Sequence, residues 1–222
     1  MSPARFVRQA RGDGCSDARV VRAGIFDLDG VLADSGPPHD LHRSNALIPE
    51  AYRARSVTTP GVTRLLSTLR TAGFPLAVVS SSRCESVEVN LDSLGIRHCF
   101  DAVVGGDLVD HGEPDPAVYL LAAQRLGVPP ADCFVVGDSP GGIAAARAAG
   151  MLTIAVQPSY GSRSDTPHAH FEVRSLEDID CRSHSLFLTT GGERAADEFT
   201  PHPRVSRRPG RRRAPGAQLH RS

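Results

Sequence analysis

The sequence contains no lysine and no tryptophan, and only 5% of its 222 residues are aromatic. All 25 of its Lys and Arg residues are therefore arginines, so any permanently positive side chain in a functional site has to be an arginine. No apolar run is long enough for a signal peptide or a membrane span. These absences predict a soluble, cytoplasmic protein with no membrane partner.

Cysteine is scarce, and its positions follow neither a disulfide nor a zinc pattern. The number is odd, the residues are widely scattered and no C-x-x-C pair occurs, so neither kind of site is expected. The five residues are Cys15, Cys84, Cys99, Cys133 and Cys181.

The formal net charge is zero, but the charge is unevenly distributed. Arginines are concentrated in residues 1–22 and 200–222, which leaves the region between them with a charge of about −10. The Arg-rich tail 200–222 has too little apolar content to fold, and we predict that it and residues 1–19 are disordered. Such a tail can bind nucleic acid through phosphates, but this one has no aromatic residues for base stacking. A solvated tail without a nucleic-acid partner is the favoured interpretation.

Short apolar runs alternate with helical patterns between the two ends. One helix is predicted to have Thr59 as its N-cap, Pro60 at its first position and Gly73 after its end. The alternation predicts an α/β domain, a doubly wound, Rossmann-like parallel sheet, over residues 20–180. Whether residues 181–199 pack on it is left open. The runs that predict buried strands lie at residues 20–27, 75–80, 102–104, 133–136, 152–156 and 171–173.

Polar side chains follow three of these strands. Asp27 and Asp29 end the first, Ser80 ends the second and Asp138 follows the fourth. The carboxyl ends of parallel strands share one edge of the sheet, where helix N-termini favour an anion. Carboxylates there suit Mg²⁺, with a phosphate beside it. A structural alternative exists for each group: a strand-ending turn at Asp27-Leu28-Asp29-Gly30, and helix caps at Ser80 and Asp138.

Three segments resemble the first, second and fourth motifs of the haloacid dehalogenase (HAD) superfamily, in the family's order. The subgroup they resemble most contains small phosphatases and β-phosphoglucomutase. The resemblance covers residues 20–179 and implies a Rossmann-like HAD core. The three segments are Asp27–Leu32, Val78–Ser80 and Gly137–Met151.

The resemblance implies that Asp27 is the nucleophile and forms an aspartyl phosphate. Asp29 would protonate the leaving alcohol and then activate water. The implied cofactor is Mg²⁺, held by Asp27, by the main-chain carbonyl of Asp29 and by Asp138. This agrees with general chemistry, because a carboxylate nucleophile divides phosphoester hydrolysis into two easier transfers and a second acid can serve both steps.

The third motif of the family departs from its pattern here. The family has Gly-Lys-Pro-x-Pro-x-x-Tyr, whereas this chain has Glu113 at the lysine position within Gly112–Tyr119. The phosphoryl group would then be bound by Ser80, Ser81 and the nearby Arg83, the nearest cation in sequence that can compensate for the lysine. The alternative for Arg83 is a solvated position in the first turn of a helix.

Members of this subgroup carry a helical cap after the first motif. In this chain the cap is severely truncated, since only residues 36–58 are available for it. The site is therefore expected to be open to water. His39 matches a family position near the catalytic acid, but we assign it to a surface loop.

We expect a Mg²⁺-dependent HAD phosphatase that hydrolyses a small phosphorylated metabolite. The alternative is a catalytically impaired HAD-like protein that serves as a binding or regulatory module, which Glu113 and the short cap favour. A β-phosphoglucomutase-like mutase ranks below both, because a mutase has to hold its sugar phosphate away from water.

Overall fold

The computed structural model describes residues 5–8, 19–34, 57–157, 169–182 and 185–188. The cap remnant, except for its last two residues, His39 and the Arg-rich tail lie outside these ranges. No helix of the described ranges is long and apolar enough to cross a membrane. The strands are β1 Arg5–Arg8, β2 Arg19–Val20, β3 Ala23–Asp27, β4 Ala33–Asp34, β5 Val57–Thr58, β6 Leu76–Ser80, β7 Ala102–Gly105, β8 Cys133–Gly137, β9 Leu152–Val156, β10 Phe171–Val173, β11 Ile179–Arg182 and β12 Ser185–Leu188. The α-helices are α1 Val62–Thr71, α2 Cys84–Ser93, α3 Ala117–Leu126 and α4 Pro140–Ala148.

Six parallel strands form the central sheet in the order β10-β9-β8-β3-β6-β7. The chain leaves β3 towards β6 and β7, then returns to add β8, β9 and β10 on the other side. This order is that of a doubly wound sheet and confirms the predicted Rossmann-like fold. All six predicted strands are present, with ends that differ by a few residues from the predicted ones.

The sheet is covered on both faces, as the alternation of buried side chains along β3 requires. Phe26 points to the face covered by α1 and α2, where it makes an edge-to-face contact with Phe134 at a centroid distance of 6.0 Å. Ile25 points to the opposite face, which α3 and α4 cover with smaller side chains such as Ala122 and Ala145. The sheet edge that carries the site is thus held by two separate apolar layers.

The first turn of α1 differs from its prediction. The helix begins at Val62, and its N-cap is Gly61 with a φ of +88°, so Thr59 is not the cap. The Thr59 hydroxyl instead donates a hydrogen bond to the carbonyl of Val31, and its main-chain N–H donates to Leu32 O. Thr59 therefore fastens the start of α1 to the loop that follows β3.

Strand β11 crosses the end of the predicted domain at residue 180, and β12 lies beyond it. β11 pairs with β12, which pairs in parallel with β1, and β1 pairs with β2. Leu186 and Leu188 are fully buried in the core. Within the segment 1–19, for which we expected disorder, the four residues Arg5–Arg8 instead form β1.

Candidate active site

Two carboxylates lie at the point where the winding of the sheet reverses. Asp27 is the last residue of β3, and Asp138 directly follows β8, the neighbouring strand. In open α/β sheets, ligands bind in the crevice at this switch point. Asp27 is partly exposed there.

A tight turn after β3 holds Asp29 beside Asp27. The main-chain N–H of Leu28 donates to Asp27 Oδ1 at 2.7 Å, and that of Gly30 donates to Ala33 O at 2.9 Å. Gly30 has a φ of +75°, which favours glycine. The segment is therefore a strand-ending turn, and this does not exclude its predicted role in the site, because the turn itself brings both acids to the crevice.

Asp138 does not cap the helix that follows it. Ser139 is the N-cap of α4, and its Oγ accepts a hydrogen bond from the main-chain N–H of Gly142 at 3.0 Å. The alternative role of Asp138 as a helix cap is thus wrong. The Asp138 carboxylate lies towards the turn after β3.

Ser80 ends β6, next to β3, and is 4% exposed. Its Oγ accepts from the main-chain N–H of Ser82 at 3.1 Å. Arg83 is the N-cap of α2, so Ser80 is not the cap of that helix. Ser81 and Arg83 are both exposed. The phosphate-binding roles of these three residues stay predictions.

The acids of the site destabilise one another's charged forms. Burial raises the pKa of Asp27 well above its ordinary value, and the charges of Asp138, Glu113 and Asp29 raise it further. Burial likewise raises the pKa of Asp138 from 3.8 to about 6, and Asp29 and Glu113 contribute in the same direction. Glu113, at the position of the family's lysine, therefore belongs to the same electrostatic cluster.

Tyr119 holds the Glu113 carboxylate. The Tyr119 hydroxyl donates to Glu113 Oε1 at 3.1 Å, from a side chain that is fully buried. Burial raises the pKa of Glu113, while this hydrogen bond lowers it. A Cβ atom on Gly142 would lie 3.2 Å from Oε1, so the carboxylate rests on the first turn of α4. Sequence reasoning assigned Tyr119 no role, although it ends the third motif.

The pKa shifts of Asp27 and Asp138 come from burial and from neighbouring carboxylates. No arginine is among the charged groups that raise these two pKa values, and the pKa of Glu113 is shifted by burial and by the Tyr119 hydrogen bond. Compensation by Arg83 therefore has no support from the residues that the structure describes, and it stays a prediction.

The donor atoms of the site fit Mg²⁺, which prefers oxygen and keeps several waters. In the described part of the chain, no three His, Cys, Asp or Glu side chains are grouped to hold a metal ion. The predicted set does not require three side chains, because Asp27 and Asp138 would be joined by the main-chain carbonyl of Asp29. The repulsion between the two carboxylates is what a bound divalent cation would relieve.

Comparisons with known proteins find relatives similar in sequence and structures similar in fold. The sequence profile of the haloacid dehalogenase-like hydrolases matches residues 44–150, a range that contains Ser80, Glu113 and Asp138. Fructose-1-phosphate phosphatase YqaB of Escherichia coli is 49% identical over 147 residues, which are 65% of this chain and 74% of that protein. The crystal structure of the HAD phosphatase from Thermococcus onnurineus has a TM-score of 0.61 at 23% identity, covers 71% of this chain and 95% of that chain, and shows the same fold.

Other relatives are longer than the matched region. The bifunctional riboflavin kinase/FMN phosphatase of Arabidopsis thaliana is 42% identical over 122 residues, which are 54% of this chain and 32% of that protein. Six further curated relatives are matched over 9% to 63% of their own lengths.

Proposed function

Because the chain belongs to the haloacid dehalogenase-like hydrolases, we propose that it is a phosphatase that hydrolyses small phosphomonoesters with Mg²⁺ as its cofactor. The observation that carries the proposal is the meeting of Asp27, Asp29 and Asp138 at the switch point of the sheet. Relatives that are named fructose-1-phosphate phosphatase and phosphoglycolate phosphatase favour a small phosphorylated metabolite as substrate.

Asp27 is the proposed nucleophile, and its carboxylate attacks phosphorus to give an aspartyl phosphate. Asp29 donates a proton to the leaving alcohol and then removes one from the water that hydrolyses the intermediate. The Ser80 hydroxyl, at the end of the adjacent strand, donates to a phosphoryl oxygen. Bound Mg²⁺ would offset the charge of the carboxylates and of the phosphoryl group.

The hydrogen bond from Leu28 N–H supports Asp27 as the nucleophile. It stabilises the ionised form of Asp27, whereas burial and the three neighbouring acids oppose that form. A nucleophile has to be ionised, so the site depends on a cation to keep Asp27 in its reactive state.

The test is phosphate release from p-nitrophenyl phosphate, measured with Mg²⁺ and with a chelator. We expect turnover by the wild type in Mg²⁺ only, and none by Asp27→Asn. A Leu120→Ala variant, which changes an exposed side chain on α3, controls for handling and should match the wild type. Equal phosphate release by the wild type and Asp27→Asn would refute the proposal.

A further inference from the structure

We propose that Asp107 is a positioning residue for the reaction, because its carboxylate holds the backbone that orients the Ser80 hydroxyl. This inference rests on the proposed function, in which Ser80 donates to a phosphoryl oxygen. The backbone concerned is the β6–α2 loop, residues 80–83, which runs from the last residue of β6 to the start of α2.

Helix α2 is capped from a different strand of the sheet. Among the described residues, the N-cap of α2, Arg83, makes no side-chain hydrogen bond to the first turn. Asp107 Oδ1 instead accepts the main-chain N–H of Cys84, the first residue of α2, at 2.8 Å. Asp107 lies just beyond the end of β7, which pairs in parallel with β6. A carboxylate in this position satisfies an N–H of the first turn and interacts favourably with the helix dipole, so Asp107 fixes where α2 begins.

Two further hydrogen bonds connect this cap to Ser80. The main-chain N–H of Gly106 donates to Ser82 O at 2.8 Å, and the main-chain N–H of Ser82 donates to Ser80 Oγ at 3.1 Å. A hydroxyl that accepts from Ser82 directs its own proton elsewhere, as donation to a phosphoryl oxygen requires. The orientation of the Ser80 hydroxyl therefore depends on backbone that Asp107 and Gly106 hold.

Two glycines after β7 allow this close approach. A Cβ atom on Gly105 would lie 2.3 Å from Cys84 N and 2.6 Å from Asp107 Oδ1. A Cβ atom on Gly106 would lie 2.5 Å from Ser81 O. A side chain at either position would displace the β6–α2 loop, so the contact has room only for main chain and for the Asp107 carboxylate.

Phosphate release from p-nitrophenyl phosphate in Mg²⁺ tests the inference. Asp107→Ala should lower kcat/KM about tenfold, because a catalytic donor that is only slightly misplaced already slows the reaction. Asp107→Asn removes the charge but keeps an oxygen acceptor for Cys84, so it should stay close to the wild type. Gly106→Ala displaces the same loop while Asp107 is intact, and it should lower kcat/KM as well. A wild-type rate in Asp107→Ala overturns the inference, as does an equal loss in Asp107→Asn.

Asp101→Ala is the matched control. The Asp101 carboxylate is also exposed and also accepts a main-chain N–H at 2.8 Å, that of Leu76, but at the opposite end of β6. This variant should lower the melting temperature at least as much as Asp107→Ala and leave kcat/KM unchanged. If it slows the reaction as much as Asp107→Ala does, the effect is one of general stability and the inference fails.

A double variant tests whether Asp107 acts through Ser80. If it does, Ser80→Ala combined with Asp107→Ala should have about the same kcat/KM as Ser80→Ala alone, because residues that act as one unit are not additive. A further loss equal to that of Asp107→Ala would overturn the route through Ser80.

Equilibrium binding of inorganic phosphate in Mg²⁺ separates this inference from the proposed function. If the wild type and Asp107→Ala hydrolyse the substrate equally well, the inference fails while the proposed phosphatase stands. If the wild type hydrolyses nothing, the proposed function fails, and the affinity for phosphate decides the inference. About tenfold weaker binding by Asp107→Ala than by Asp101→Ala, the cost of one misplaced hydrogen bond, supports it, and equal affinities refute it.

Discussion

A Cβ atom on Gly30 would lie 1.9 Å from Oδ2 of Asp138, so the turn after β3 directly contacts the carboxylate that follows β8. This contact joins the two loops that carry the proposed nucleophile and the proposed metal ligand. The position needs glycine for a second reason, its φ of +75°.

Gly30→Ala should therefore damage both the backbone of the turn and the position of Asp138. We expect a loss of about 1–2 kcal/mol from the left-handed conformation, and a fall in activity on the order of 100-fold because Asp138 is displaced. Gly95→Ala is the matched control, since its φ is +70° but a Cβ there has no neighbour within 4 Å. Thermal melts and kcat/KM measure the two effects, and similar activities for the two variants would contradict the account.

Glu113→Lys should raise the hydrolysis of phosphomonoesters whose alcohol part is uncharged. The substitution replaces a negative charge that acts on Asp27 and Asp138 with a positive one. The gain in kcat/KM for n-propyl phosphate should be on the order of 10²-fold, the usual contribution of one electrostatic stabiliser. Glu113→Gln should give an intermediate value. An unchanged rate in both variants would show that Glu113 does not act on the reacting groups.

The stability of the metal-free protein should fall as the pH rises from about 4 to 7. The pKa of Asp138 is raised from 3.8 to about 6 in the folded state, so the folded protein binds more protons than the unfolded chain in this window. Asp138 stabilises the fold below pH 4, and this contribution, roughly 3 kcal/mol, is lost as the pH passes 6.

Denaturant unfolding in a chelator, compared with Asp138→Asn, measures this contribution together with the effect of the Asp138 charge on Asp27. The stability of the wild type should decrease relative to the variant as the pH rises, and added Mg²⁺ should reverse the trend near pH 7. A relative stability that rises with pH in the absence of metal has the opposite sign and would exclude this environment for Asp138.

The last two described strands should be necessary for a stable core. Leu186→Ala and Leu188→Ala each remove a fully buried side chain, so we expect a loss of about 2–5 kcal/mol from each. Deleting residues 185–222 should destabilise the domain more than deleting residues 189–222, because only the longer deletion removes β12. Equal stability of the two truncated chains, measured by thermal melts, would refute the packing of β12.

Much of the fold follows from local patterns in the sequence. Apolar runs identify β6 and β8, because both are buried along their whole length. The end of α3 follows from Gly127, which has a φ of +67°. The start of α1 could not be predicted in this way, because Thr59 resembles a cap but its hydroxyl bonds to Val31, a partner 28 residues earlier in the chain.

In the candidate site, too, local sequence patterns predict some features, whereas others depend on contacts between distant parts of the chain. Asp27 and Asp138 could be paired from sequence, since each follows a buried strand and parallel strands share an edge. The contact of Tyr119 with Glu113 depends on how α3 packs against the start of α4, which no local pattern reports. Strands β11 and β12 were not predicted, because each has only four residues, which is too short for a clear periodic pattern, although β12 contains the buried Leu186 and Leu188.

The measurement that tests the central claim most directly is the search for a phosphorylated Asp27. The Asp29→Asn variant should accumulate the intermediate, because Asp29 is proposed to activate the water that hydrolyses it. The protein is mixed with Mg²⁺ and p-nitrophenyl phosphate, whose leaving group needs no proton from Asp29, then quenched in acid, digested and examined by mass spectrometry. The account predicts one added phosphoryl group on the peptide that contains Asp27, and none in Asp27→Asn. A variant that releases phosphate but carries no phosphoryl group on this peptide would contradict it.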